Sequence, residues 1–339
     1  MRVHVDEPRG EREPRAVVLH AGGLGERCVA ADRDDPSVAH ADVGDPAGCS
    51  RPVDDERPPD AQVEHAGIVA HFGMPRIGVG AREVAYDDPW ADEPDRFPVV
   101  CVHGSSFGRG TWQPCVPWIG ALGWYRPVTL DQPGHGGSTG PACTSVPELG
   151  AHLAAFLDAI DLPRPFALMG HSLGGAVAQW YQRARPDDVL ALGLVSTTPQ
   201  FTVTPETLAG WKAAGTEFSE ARLDAIVSPL ASPAVRMHVL AARAETTVEA
   251  LHGDLDAIAG WENPEWLTIP VPTLVITADA DTASIQEYAR LWVAGLEHGA
   301  LASITDAGHM MPIEQPEATA RAIVQWLDAV VPRGAAGSA

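Results

Sequence analysis

The chemistry this chain could perform is concentrated in five residues, Gly170-His171-Ser172-Leu173-Gly174. A serine hydroxyl becomes a useful nucleophile only when a base takes its proton, and it must stand clear of its own backbone to meet a substrate. An apolar run, Phe166 to Met169, enters the motif, and a helical pattern, Ala176 to Arg183, leaves it. Strand, sharp turn and helix together make a nucleophile elbow. The central serine of such a turn is forced into a cramped backbone conformation, where side chains two residues to either side would collide, and Gly170 and Gly174 meet that demand. The helix that follows aims its first N–H groups at a developing oxyanion, so Leu173 N–H is the expected first donor. An ordinary glycine-rich strand-to-helix turn is the plainer reading of the same residues.

A serine nucleophile needs a histidine base and a carboxylate to orient it. The chain has thirteen histidines, so residue type alone decides nothing. In an elbow-type sheet the acid and then the base follow the serine along the chain, which sets aside His103, His135 and His171. His238 and His252 fall within a helical stretch, and His298 ends a helix, where it can meet the last carbonyls. His309 instead sits in Asp306-Ala-Gly-His-Met-Met-Pro312, a loop between the last strand and the last helix. For the acid, the strand ending at Thr277 runs into Ala278-Asp279-Ala280-Asp281, a loop that holds two carboxylates.

The elements that must carry these residues alternate strand and helix from about residue 74 onward, the pattern of a mostly parallel, doubly wound sheet. Strands are expected at 77–79, 83–86, 98–102, 127–131, 166–169, 190–195, 272–277 and 301–305. Ser145-Val-Pro-Glu148 has capping-box spacing ahead of a helix whose Leu149, Leu153, Phe156, Leu157 and Ile160 share one face. Residues 200–266 read as helices without strands, starting at Thr204-Pro205, Ser232-Pro233 and Thr246–Glu249. Placed between strands after the elbow, they are expected to form a lid over the substrate site. Residues 1–73 are rich in Asp, Arg, Pro and Gly without periodicity and read as a disordered, dispensable extension, the functional protein beginning near Met74. The strand-and-glycine pattern Ala16 to Gly25 lacks a following amphipathic helix and is taken as chance. Residues 333–339 read as a flexible tail.

A formal charge of −22, with Lys212 the only lysine, excludes binding to a phosphate backbone. Five scattered cysteines make no disulfide framework and no Cys-x-x-Cys pair, which suits a reducing, cytoplasmic setting. No secretory signal and no apolar run long enough to span a membrane is visible. No His-Glu-x-x-His type spacing implies a metal, and no cofactor is expected.

Five motifs in order, His103-Gly104, Asp131-Gln-Pro-Gly-His-Gly-Gly-Ser138, Gly-His-Ser-Leu-Gly, Pro-Thr-Leu-Val-Ile followed by Asp281, and Ala-Gly-His309, resemble the signatures of the α/β-hydrolase superfamily, in its serine-nucleophile esterase, lactonase and haloperoxidase-like branch. The similarity runs over roughly residues 74–332. It implies an eight-stranded α/β-hydrolase core at 74–199 and 267–332, with the lid at 200–266 inserted after the sixth strand. It implies that Asp281 is the acid, although Ala278 stands where relatives commonly carry Gly and Asp279 offers a neighbouring carboxylate. It also implies Ser105 N–H as the second oxyanion donor, the hydroxyls of Ser105 and Ser106 being small groups tolerated in a tight loop, and Asp131 and His135 as organisers of their turn. The expected activity is hydrolysis of an ester, thioester or lactone of a small, largely apolar substrate through Ser172, His309 and Asp281. Carbon–carbon bond hydrolysis, lyase chemistry or perhydrolysis on the same triad, and a weakly catalytic receptor, are the alternatives. Neither the substrate nor the oligomeric state is legible.

Overall fold

Strand residues alternate between two apolar faces, and each face finds its own helices. A computed structural model describes residues 17–21 and 75–333. Along the strand Phe97–Val102 (β4), Val100 and Val102 enter one apolar cluster while Val99 and Cys101 enter the other, which is the period of two expected of a pleated strand. β4, Tyr125–Leu130 (β5), Phe166–His171 (β6) and Thr273–Ala278 (β8) are buried along their whole length, as strands covered on both faces must be. On one side the helices Val146–Ala159 (α2), Leu173–Ala184 (α3) and Ala283–Gly295 (α8) supply Leu149, Leu153, Phe156, Val177, Tyr181 and Trp292. On the other, Val116–Leu122 (α1) and Pro316–Val330 (α10) supply Ile119, Ile323 and Leu327. Each such side chain removed from water contributes about 1.5–3 kcal/mol before the entropy of ordering is charged against it.

The remaining strands are Arg76–Val79 (β2), Arg82–Asp87 (β3), Val189–Val195 (β7) and Gly299–Ile304 (β9), with Val17–Ala21 (β1) at the far edge. The order is β1-β9-β8-β7-β6-β4-β5-β3-β2. Pairing is parallel throughout except for the antiparallel β3 and β2. The eight expected strands all form, each within a few residues of its expected place. The ninth corrects one expectation: Val17–Ala21, set aside as a chance pattern, runs parallel to β9 in register from Val17 opposite Ala300 to Ala21 opposite Ile304. Its β-branched and apolar composition is that of a strand needing only an open edge. The expectation for the rest of residues 1–73, like that for 334–339, lies outside the described residues.

Ser145 caps α2 by accepting Glu148 N–H at 3.3 Å, and the Glu148 carboxylate reaches back to Thr144 N–H at 2.7 Å, one residue beyond the usual capping-box partner. Between β7 and β8 the chain makes only helices: Pro205–Ala214 (α4), Glu220–Asp224 (α5), Pro233–Ala244 (α6) and Val248–Ala259 (α7). Thr204, Ser232 and Thr247 cap three of them as the sequence suggested, and Ser219 caps α5. This insertion has its own apolar cluster, in which Leu223, Val227 and Val239 meet Phe107 and Met310 from loops at the carboxyl edge of the sheet and Ile313 from the short helix that follows.

Candidate active site

Ser172 stands between β6 and α3 with φ 53° and ψ −119°, a sparsely populated conformation for a residue with a side chain. A Cβ on Gly170 would lie 2.2 Å from Gly174 O, and one on Gly174 would lie 2.4 Å from Val102 O, so both positions exclude any larger residue. The turn is held from both sides: Ser172 N–H donates to Val195 O at 2.9 Å, and Ser172 O accepts from Gly175 N–H at 2.9 Å and from the Thr197 hydroxyl at 2.7 Å. Among the described residues five non-glycines have positive φ, and four of them, Ser106, Ser172, Ser196 and Asp306, occupy loops at this one edge of the sheet. Backbone strain collected in one place points to a functional site.

His309 and Asp281 meet across that edge. His309 Nδ1 lies 3.2 Å from Asp281 Oδ1; the Asp281 side chain is fully buried and the His309 side chain is 19% exposed. Burial opposes charge on either group, but each is overruled by the other. The Asp281 charge and hydrogen bond, with Glu314 behind, hold His309 above the ordinary histidine value. The His309 charge and hydrogen bond, the Ser196 hydroxyl and Thr282 N–H hold Asp281 below the ordinary carboxylate value. With Nδ1–H committed to Asp281, Nε2 remains to accept a proton. Asp279, the neighbouring carboxylate, has different partners: its oxygens accept Asp306 N–H at 3.0 Å and Ala307 N–H at 3.3 Å, fastening the loop that carries His309.

His171 adds a tether that the sequence did not suggest. Its Nε2–H donates to His309 O at 2.8 Å, with the two rings 5.0 Å apart, so the residue before Ser172 holds the backbone of the candidate base. Buried and beside His309, His171 is pushed down to about 3 and stays neutral. Glu314 grips the same loop from below. It accepts Gly308 N–H at 3.0 Å and Met310 N–H at 3.1 Å, the residues flanking His309, and also Ser228 N–H of the insertion at 2.7 Å.

The loop after β4 closes over the nucleophile. A Cβ on Gly104 would lie 2.9 Å from Ser172 Cβ and 3.0 Å from His171 Nδ1, so His103-Gly104-Ser105 packs directly on the elbow. Ser105 is half-buried, with its hydroxyl 3.2 Å from that of Ser106. Ser106 N–H is already spent on Asp254 Oδ2 at 2.7 Å, and Leu173 opens α3 directly after Ser172. Asp131 organises its turn by accepting Arg109 N–H at 2.7 Å and Gly137 N–H at 2.8 Å. His135 does more than organise a turn. Its ring nitrogens face Pro133 O at 3.2 Å and Asp254 Oδ2 at 3.0 Å, both acceptors, which joins its turn to α7; burial opposes charge on the ring, and the Asp254 charge overrules it and raises His135 above the ordinary histidine value.

Residues 99–322 match the profile described as the alpha/beta hydrolase family. The chain belongs to that family. Among characterised relatives it is 27% identical over 253 residues to (E)-2-((N-methylformamido)methylene)succinate hydrolase of Acinetobacter baylyi, covering 68% of this chain and 90% of that one. It is 33% identical over 181 residues to pimeloyl-[acyl-carrier protein] methyl ester esterase of Chromobacterium violaceum, covering 53% of this chain and 66% of that one. Of solved structures, the enol-lactonase from Burkholderia xenovorans LB400 superposes with a TM-score of 0.68 over 75% of this chain and all of that one, at 20% identity. At that identity the last likeness is one of fold.

As an alpha/beta hydrolase the chain has hydrolases for relatives, and its five sequence motifs converge on one edge of one sheet. His298 is exposed, and its carbonyl accepts Thr273 N–H at 2.9 Å. Trp112 and Trp261 are core residues, Trp112 donating from Nε1 to Val102 O at 3.0 Å. No helix among the described residues is long and apolar enough to cross a membrane. The residues sequence reasoning passed over are His171, Ser196, Glu314 and Asp254. None carries a local signal beyond being a polar residue in or beside an apolar stretch.

Proposed function

We propose that this alpha/beta hydrolase is a serine hydrolase that cleaves a carboxylic ester, thioester or lactone through an acyl-enzyme. The observation that carries the reading is the strained Ser172, framed by two glycines that admit no side chain, on a turn whose His171 is bonded to His309, the histidine whose Nδ1 is occupied by a buried carboxylate. Ser172 Oγ attacks the carbonyl carbon while His309 Nε2 takes its proton, and Asp281 stabilises the imidazolium that results. Leu173 and Ser105 N–H groups receive the oxyanion, each worth on the order of 3 kcal/mol of transition-state stabilisation. The tetrahedral adduct collapses, the carbon–oxygen or carbon–sulfur bond breaks, and the leaving group departs with the proton from His309. Water, deprotonated by His309, then attacks the acyl-enzyme and releases the acid and Ser172.

Relatives named as a methyl ester esterase and a succinate-derivative hydrolase support hydrolysis at a carbonyl as the reaction class. The helical insertion is proposed as the lid, since its apolar cluster rests on Phe107 and Met310, from the oxyanion and base loops. A reducing, cytoplasmic setting is proposed on the sequence grounds given above. Ser172→Ala tests the reading: turnover of p-nitrophenyl butyrate is expected to fall by at least about a thousandfold with an unchanged circular dichroism spectrum. Retained turnover in that variant would overturn it.

A further inference from the structure

The insertion holds a charge that has no structural partner. Arg243, near the end of α6, is only 7% exposed, and its Nε is completely shielded without a hydrogen-bond partner. Among the described residues no carboxylate lies within ion-pair distance of it and no acceptor meets its guanidinium. Its one close contact is the face of Phe218, 4.3 Å from the guanidinium carbon. A structural arginine at this depth is ordinarily held by a bidentate carboxylate or by carbonyls, because an unpaired charge is poorly solvated there.

Its position relates Arg243 to the substrate side of the protein. Phe218 packs against the cluster that contains Phe107, two residues after Ser105, and Met310, one residue after His309. The turn after α6 is pinned to the loop after β5, Gly136 N–H donating to Glu245 O at 3.2 Å and Thr247 N–H to Gly134 O at 3.4 Å. The end of α6 that carries Arg243 is thereby fastened to a loop at the carboxyl edge of the sheet, the edge that carries Ser172. The charge of Asp254 acts on it, and that carboxylate is engaged by Ser106 N–H and by the His135 ring. Arg222 adds a second positive charge nearby, and burial together with Arg222 brings Arg243 down to about 10.

We infer that Arg243 is the anchor for a carboxylate at the non-reacting end of the substrate, so that this hydrolase takes anionic acyl compounds, the mono-esters or lactones of dicarboxylic acids. Such a substrate is apolar along its chain, where it lies against Phe107 and Phe218, and charged at its far end, which narrows the largely apolar substrate expected from sequence. The fork of the guanidinium suits a carboxylate in two-point contact. The inference rests on the serine-hydrolase reading for the ester it assigns, and its test separates the two.

Monomethyl and dimethyl esters of succinate, glutarate and adipate form neutral and anionic pairs of nearly equal shape. The full chain is expected to favour the monomethyl ester of at least one pair by tenfold or more in kcat/KM, chiefly through KM. Arg243→Gln is expected to lower that preference about ten- to hundredfold, with Arg243→Lys keeping part of it. Binding is read independently of turnover, as the rise in Tm given by succinate, glutarate or adipate over the corresponding diamide. This rise is expected in the wild type and lost in Arg243→Gln. If every pair is handled alike and no dicarboxylate raises Tm, or if Arg243→Gln keeps the wild-type preference, Arg243 is not an anchor. Should dicarboxylates bind through Arg243 while no ester is cleaved and Ser172 resists a fluorophosphonate, the serine-hydrolase reading fails and the anion site stands. A wild type too unstable as Arg243→Gln is tested by the dicarboxylate and diamide pairs alone, where equal shifts in Tm overturn the anchor.

Discussion

Asp281 and His309 are two groups that burial would neutralise and that each favour the charged form of the other. Asp281 stabilises imidazolium, so the folded pKa of His309 stands above 6.5, and the imidazole is in its proton-accepting form only above that value. The acid limb of kcat/KM is therefore expected at a midpoint above pH 6.5, activity rising with pH. In Asp281→Asn the raising charge is gone while burial remains, so the midpoint should move down, and kcat should fall about 10³ to 10⁴-fold as the ring loses its orientation. A pH profile of both proteins checks this, and an unmoved limb would contradict it. The same pair has two stability signs. His309, being raised, contributes fully below 6.5 and loses its contribution as pH climbs through the folded value, while Asp281, being lowered, contributes above 3.8 and loses it as pH falls through its own. Ser172, His309 and the Asp279–Asp281 loop were legible because each is announced by its neighbours in the chain: a Gly-x-Ser-x-Gly, an Ala-Gly-His before the last helix, a strand running into carboxylates. The division of labour between the two carboxylates was carried by resemblance alone, since both lie in the same loop. In the structure Asp281 faces a side chain and Asp279 faces backbone N–H groups.

Elements bring the site together through polar side chains with partners far along the chain. Glu314 joins α9 (Met311–Glu314) to Ser228, 86 residues earlier; His171 reaches His309 across 138 residues, and Asp254 reaches Ser106 across 148. Separations of that size leave no trace in periodicity or motif, which is why these residues were not legible. Glu314 is the sharpest case, one carboxylate serving three backbone N–H groups in the base loop and the insertion. Glu314→Gln leaves a single acceptor oxygen for those donors, and each buried donor left unmade costs about 1–3 kcal/mol. A lower Tm by several degrees is expected, together with a fall in kcat larger than any change in KM, because His309 loses its footing while the substrate surface is kept. Calorimetry with steady-state kinetics measures both, and unchanged values would remove Glu314 from the account.

Across the whole molecule, the alternation of apolar strands with amphipathic helices made the doubly wound sheet and its helical insertion readable, because period two and period 3.6 are properties of short windows. Edge pairing is a property of the assembled sheet, and so Val17–Ala21 on β9 was read as chance. The candidate site lies between residues 103 and 314, all of it outside that edge. Removing residues 1–74 should therefore keep kcat/KM within about twofold while lowering Tm by a few degrees as the β9 edge is uncovered. Loss of activity on truncation would show that the edge strand supports the site. A Ser172 activated by its surroundings reacts with a fluorophosphonate, and the site at which that probe attaches tests the proposed nucleophile. Peptide mass spectrometry of the labelled protein is predicted to find one adduct, on the peptide carrying Ser172, absent from Ser172→Ala and greatly slowed in Asp281→Asn. An unlabelled wild type, or an adduct on another residue, would contradict it.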